Sequence, residues 1–168
     1  MSQSEPEPAE SAVFRVRAAE EHDLEQMLDL YRLLDGHQRE WRVIVPTRDP
    51  VADAEVRFRE AMADPDARAV VAEAGGRVIG IGMGRIGAVS SLSDEPGLEL
   101  TSVVVSPEHR GRGIGRAIAR DLAAFARSRD VGILSLRVFS PNQEAQDFWS
   151  AIGFAPRLVH MVARSDRV

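Results

Sequence analysis

The chain has 168 residues, of which 44% are hydrophobic and 28% charged, with a formal net charge of −5, values that fit a globular protein with one substantial core. The acidic balance argues against a nucleic-acid binder. The absence of cysteine excludes a disulfide scaffold, a thiolate zinc site and an acyl-cysteine intermediate.

Residues 1–11 hold three glutamates, two prolines and almost nothing to bury, and so read as a disordered lead-in to a single domain over 12–168. The acidic N-terminus lacks the apolar stretch of a secretory signal, and no apolar run approaches the roughly 18 to 20 residues that span a bilayer. A soluble, cytoplasmic protein without a membrane partner is expected.

Val13 to Arg17 alternates apolar and basic residues like a short strand. Leu24, Met27, Leu28, Tyr31 and Leu34 recur at helical spacing, predicting a helix that ends at Asp35-Gly36. The stretch His37 to Pro50 has no clear period and is expected to be a long loop. A second helix places Val51, Ala54, Phe58, Ala61 and Met62 on one face and stops at Asp64-Pro65. Ala69 to Glu73 is strand-like, Gly75-Gly76 marks a hairpin, and Val78 to Ile86 is a strand with Gly80, Gly82 and Gly84 on one face, read as a surface kept bare for close packing. A polar loop is expected over Gly87 to Gly97.

Leu98 to Val105 is an apolar, β-branched strand, followed by Ser106-Pro107-Glu108-His109 and then Arg110-Gly111-Arg112-Gly113-Ile114-Gly115-Arg116. Glycines let successive backbone N–H groups converge on one concavity, and the helix that follows adds unpaired N–H groups and the positive end of its dipole. Arg110, Arg112 and Arg116 surround it with charge. These residues describe an anion site.

The anion is not bound as in two familiar loops. G-x-G-x-x-G fails because the third position is Arg116 counting from Gly111, or Ile118 counting from Gly113. A P-loop requires lysine, and the chain has none. The helix from about Arg112 to Arg127 buries Ile114, Ile118, Leu122 and Phe125. Val131 to Phe139 is the next strand, making a parallel crossover pair with the first. A helix follows, with a Ser140-x-x-Gln143 capping box at its start and Gly153 at its end, and Arg157 to Ala163 is a last strand. The order is β-α-α-β-β-β-α-β-α-β, an α/β sandwich around a mixed sheet.

Arg110-x-x-Gly113-x-Gly115 directly after a valine-rich strand resembles the [QR]-x-x-G-x-[GA] signature of the GNAT superfamily of acyl-CoA-dependent N-acyltransferases. Asn142-x-x-Ala145-x-x-Phe148-Trp149-x-x-x-Gly153-Phe154 is similar to a second run of that family. Alone, that second run reads as a capped amphipathic helix with Asn142 in its first turn; two matches in order favour the family. The resemblance covers about residues 13–163 and is most specific in 98–118 and 142–154.

The resemblance implies a mixed, mostly antiparallel sheet with helices on both faces and a splayed parallel strand pair, acetyl-CoA as cosubstrate, and a small-molecule primary amine as acceptor, acetylated by direct attack in a ternary complex. It also admits a homodimer. It implies that the backbone of Val103, Val104 and Val105 holds the pantetheine arm, that Arg110, Gly111, Arg112, Gly113, Ile114, Gly115 and Arg116 hold the diphosphate, and that Asn142 contacts the arm.

Trp149 stands where the family usually has a tyrosine that donates a proton to sulfur. An indole donates a hydrogen bond but is no acid in water, which keeps a non-catalytic acyl-CoA-binding module as an alternative. Arg137 stands where the branch acetylating ribosomal-protein N-termini has an acidic base, which disfavours a protein or peptide amine. Glu99 is the candidate general base, the alternative being an exposed strand glutamate. Tyr31 reads as core, and His109 as a turn residue beside the anion loop. His37, Trp41, Ser90 and Ser91 could line an acceptor pocket. His22, His37, His109 and His160 lack metal-ligand spacing, and no metal is expected.

Overall fold

A computed structural model describes residues 14–41, 49–90, 93–161 and 163, the side chains of 37, 38, 41, 89, 90, 93 and 94 excepted. The chain divides into two compact units, Met1–Arg137 and Val138–Val168. The expected lead-in over 1–11 lies outside the described residues.

In the first unit, β1 (Arg15–Ala18) is followed by α1 (Leu24–Trp41) and α2 (Pro50–Ala63), then β2 (Ala67–Ala74), β3 (Arg77–Ser90), β4 (Ser93–Val105), α3 (Ile114–Ser128) and β5 (Ile133–Leu136). The sheet runs β1-β2-β3-β4-β5, with the first three pairings antiparallel and β4–β5 parallel. Parallel pairing needs a crossover, which α3 provides. The expected mixed, mostly antiparallel sheet is present.

Helices cover both faces. Met27, Leu28 and Leu30 of α1 and Ala54, Phe58 and Ala61 of α2 form one core with Val71, Ile81, Met83 and Val104 of the sheet. On the opposite face α3 buries Ile114, Ile118 and Leu122. There the bare strip read from the sequence meets its partner at Gly80 and Gly82, whereas a Cβ at Gly84, beyond a register shift, would stand 3.1 Å from Leu98 Cγ of β4. A Cβ at Gly80 would stand 3.1 Å from both Ile114 Cγ2 and Ile118 Cδ1, and one at Gly82 would stand 2.2 Å from Ile118 Cγ2. The missing side chains let α3 lie close against β3.

Several boundaries differ from expectation. Helix α1 does not stop at Gly36: that residue is not among the glycines of positive φ, and Arg39 bonds Asp35 at 2.7 Å across it. A glycine ends a helix only when it turns left-handed. The helix therefore takes up the start of the expected loop, and residues 42–48 lie outside the described residues.

Most of the expected polar loop over 87–97 is strand instead. Gly87 pairs with Gly97 and Ala88 with Pro96, so the β3–β4 hairpin extends beyond its apolar part by backbone pairing. Strand β5 is shorter than 131–139 because its ladder with β4 ends at Leu100↔Leu136.

The second unit holds α4 (Gln143–Ala151). Its N-cap is Asn142, whose Oδ1 accepts from Ala145 N at 3.1 Å, rather than Ser140. The Ser140 carbonyl accepts from Gln146 Nε2 instead. At the other end Phe154 N donates to Trp149 O at 3.0 Å across Gly153, whose φ of 106° suits glycine. Residues 157–161 and 163 are not strand, and Leu158, Val159 and Met161 are exposed. Apolar alternation makes a strand only where a ladder partner exists.

Candidate functional site

The end of β4 is built differently from its start. From Gly97 to Leu100 it is paired on both sides, with β3 and with β5. Beyond Leu100 the β5 ladder stops, while pairing with β3 continues through Val103↔Gly82, Val104↔Ile81 and Val105↔Gly80. The parallel pair therefore opens into a fork. Alternate residues of this segment turn their N–H and C=O groups to an edge with no strand on it among the described residues. Val104 is buried, with Val103 and Val105 half-buried.

The turn after β4 is fastened from within. Ser106 is buried, its N–H donates to Ile79 O at 2.9 Å, and its hydroxyl lies 2.7 Å from His109 Nδ1. His109 is thus the turn residue expected, with a specific role in fixing the bend. Arg110 Nε reaches back to the Val105 carbonyl at 3.4 Å.

Gly111 and Gly113 then adopt φ of 74° and 80°, with open space where a Cβ would stand. Their conformation rather than crowding demands glycine. Gly113 is the N-cap of α3 and has no side chain to cap it, so the first-turn N–H groups of Ile114, Gly115 and Arg116 find no capping partner within the helix start. Ile114, 2% exposed, fixes that end of the helix beneath Gly80. Arg112 and Arg116 are exposed and form no ion pair among the described residues. Residues 103–105 and 110–116 follow one another: an open strand edge, then a glycine-shaped bend of uncapped donors with arginines beside it. An extended chain bearing amides and a diphosphate would find partners in that order.

Glu99 projects from β4 near the fork, opposite Ser135 in the parallel register. Its Oε1 lies 2.7 Å from Arg137 Nη2, and no other partner of its carboxylate is present among the described residues. The sequence marked Arg137 only as a departure from an acidic position. It could not show that the same arginine meets Glu99, although a parallel strand pair joined by one crossover helix brings such residues together.

Glu99 also lines a cleft of about 330 Å³ that the sequence did not reveal. Arg57, Glu60 and Ala61 of α2 form one wall, Met83 to Ala88 of β3 the floor, and Glu99 and Thr101 of β4 the other side. Arg85 is paired with Asp64 at 2.6 Å. Arg57 Nη2 donates to the Tyr31 hydroxyl at 3.1 Å, with its guanidinium 5.7 Å from the ring centroid. Tyr31 packs edge-on to Phe58, as its core reading expected, but its hydroxyl reaches a surface cation. The side chains of His37, Trp41 and Ser90, and Ser91 altogether, lie outside the described residues.

In the second unit, Asn142 caps α4 with its oxygen, and its Nδ2 has no partner among the described residues. Trp149 is 9% exposed and stands edge-on to Phe148 at 4.8 Å and to Phe154 at 5.1 Å.

A second concavity, of about 460 Å³, is lined by Arg15, Arg17, Asp23 and Glu73 among others. Its charges satisfy one another. Arg17 holds both oxygens of buried Asp23 at 2.7 and 2.8 Å and also bonds Glu73 at 2.7 Å. Hydrogen bonds from Arg17 hold the Asp23 carboxyl below the usual carboxylate range, against the opposing effect of burial. The same guanidinium, with Arg15, lowers Glu73. This network ties β1 and β2 to the start of α1 and has the character of a structural clamp. Among the described residues no group of three or more His, Asp or Glu could hold a metal ion, and no helix is long and apolar enough to cross a membrane.

Comparison with known proteins bears on the same segments. The chain is 33% identical to N-alpha-acetyltransferase RimI of Mycobacterium tuberculosis over 98 residues, 58% of each chain. It is 41% identical to streptothricin acetyltransferase of Streptomyces lavendulae over 68 residues, 40% of this chain and 36% of that one. These curated relatives are thus matched over little more than half of their length or less. Among solved structures, aminoglycoside N-acetyltransferase AAC(6')-Iy in complex with CoA superposes with a TM-score of 0.75 at 17% identity, covering 91% of this chain and 95% of that one, an agreement of fold. The sequence profile of the Acetyltransferase (GNAT) family matches residues 30–154, a span that contains the forked strand, the glycine bend and helix α4. On that match the chain belongs to the Acetyltransferase (GNAT) family.

Proposed function

We propose that the protein transfers an acetyl group from acetyl-CoA to a primary amine on a small molecule, by direct attack within a ternary complex. The observation that carries this reading is the continuity of the open β4 edge with the uncapped, glycine-shaped start of α3. The edge at Val103, Val104 and Val105 suits the amides of a pantetheine arm, by the same backbone pairing that adds a peptide strand to a sheet. The N–H groups at Gly111, Gly113, Ile114 and Gly115, with Arg110, Arg112 and Arg116, suit the diphosphate. The family's CoA-bound structural neighbour supports the same cosubstrate.

When bound, acetyl-CoA supplies an activated acyl carbon. The acceptor amine attacks it in its neutral form, a C–N bond forms as the C–S bond breaks, the nitrogen's proton passes to Glu99 directly or through water, and the departing thiolate takes a proton from water. Glu99 retains Oε2 for this role while Oε1 faces Arg137. Backbone N–H groups on the open edge are the donors available to the developing oxyanion. Trp149, edge-on to two phenylalanines, supplies no acid, because an indole does not ionise in water.

The RimI relative supports a peptide N-terminus as acceptor, and the streptothricin acetyltransferase relative supports a small molecule. The cleft's modest volume favours the latter. Thiol release from acetyl-CoA, measured with a mixed panel of small amines and short peptides, tests the proposal. Release that depends on a small amine is expected. Tight CoA binding with no release on the whole panel would instead favour a binding module.

A further inference from the structure

We infer that the acceptor is a small amino acid, an amine that also carries a carboxylate, and that Arg57 binds that carboxylate. The inference rests on the acetyltransferase reading and adds the acceptor's class. Four charged side chains line the cleft beside Glu99. Two of them are matched by a partner of opposite charge, Arg85 by Asp64 and Glu99 by Arg137. The other two, Arg57 and Glu60, form no ion pair among the described residues, although they stand one turn apart on α2.

Arg57 is not a loose surface cation. One guanidinium nitrogen is held by the Tyr31 hydroxyl at 3.1 Å and the group lies over the same ring at 5.7 Å, so its position is set by a neutral partner that leaves its charge unmatched. Tyr31 is in turn fixed edge-on against buried Phe58. A fork of donors oriented in this way fits a carboxylate in two-point contact. Glu60, on the same wall as Arg57, and Glu99, across the cleft, attract the ammonium group as it enters. A polycationic acceptor would meet the unmatched charge of Arg57 on the wall, which repels it. At about 330 Å³ the space is at the small end of ligand sites. Tyr31 is a positioning residue, acting through Arg57.

The test compares matched acceptors on the intact protein with acetyl-CoA: glycine against glycinamide, 4-aminobutyrate against 4-aminobutyramide, lysine against lysinamide, and spermidine as the polycation. At least one carboxylate is expected to exceed its carboxamide by about tenfold or more in kcat/KM, the effect of a charge-assisted hydrogen bond. Arg57→Gln should bring that ratio close to one, and Tyr31→Phe should lower it by a smaller factor through KM rather than kcat. Equal use of carboxylates and carboxamides, a preference for spermidine, or no turnover of any carboxylate overturns the inference. CoA affinity, measured separately by calorimetry, tells the two claims apart. If CoA binds and the carboxylates fail, only the acceptor class falls; if CoA does not bind, the transferase reading itself fails.

Discussion

Gly82 and Ile118 touch where no side chain could stand between them: a Cβ on Gly82 would be 2.2 Å from Ile118 Cγ2, with Val70 Cγ2 at 3.1 Å on the other side. Gly82→Ala should therefore destabilise the protein by about 2 kcal/mol, the usual range for a methyl forced into a packed interior. Pairing it with Ile118→Ala should return part of the loss. Denaturant unfolding of the single and double variants measures both, and strict additivity would show that the two positions do not collide.

Gly113 demands its residue for a different reason, since the space around it is open and only its φ of 80° is unusual. Gly113→Ala should cost about 1 kcal/mol of stability. It should also weaken CoA by more than that cost, because the residue relaxes by turning the first N–H groups of α3 away from the bend. Calorimetric titration with CoA checks this, and unchanged affinity would move the diphosphate to another part of the surface.

Replacing Glu99 separates a base from a bystander. Glu99→Gln retains shape and one hydrogen-bond acceptor but removes the charge that meets Arg137. Turnover should fall by about 10²-fold, the lower range for general base catalysis, with CoA affinity little changed. Steady-state kinetics check this, and unchanged turnover in the variant would leave Glu99 no part in proton transfer.

The Arg17–Asp23 pair predicts acid sensitivity. Asp23 is depressed in the folded state by Arg17. Its contribution is thus fully present above the unfolded value of about 4 and is lost as pH falls through the lower folded value. Asp23→Asn should cost about 3 kcal/mol at neutral pH, since it strips a buried partner from Arg17, and should flatten the loss below about pH 4. Glu73 shifts the same way, so a residual slope remains. Chemical unfolding midpoints across that range decide, and parallel curves for the two proteins would assign the acid loss elsewhere.

The sheet was legible in the sequence where apolar residues run together, as in β2, or alternate between core and surface, as in the apolar half of β4. The glycine strip of β3 even disclosed its packing partner's approach. The outer half of the β3–β4 hairpin was not legible, because Gly87, Ala88 and Pro96 pair through backbone atoms that carry no pattern. The apolar alternation at Leu158 to Met161 misled for the converse reason, a strand-like pattern without a ladder. In the candidate site, Gly111 and Gly113 were readable because a positive φ restricts which residues can stand there. The Glu99–Arg137 contact and the cleft at Arg57 were not, because both join segments far apart in the chain.

The fork between β4 and β5 has one more implication. Whatever enters it meets peptide groups, which every residue but proline presents alike. Natural variants could exchange the three valines at 103–105 for other core-compatible residues and keep the same occupant, whereas a proline there would remove a donor that no neighbour could replace. Tolerance at that strand and intolerance to one imino acid would together be the signature of recognition written in the main chain.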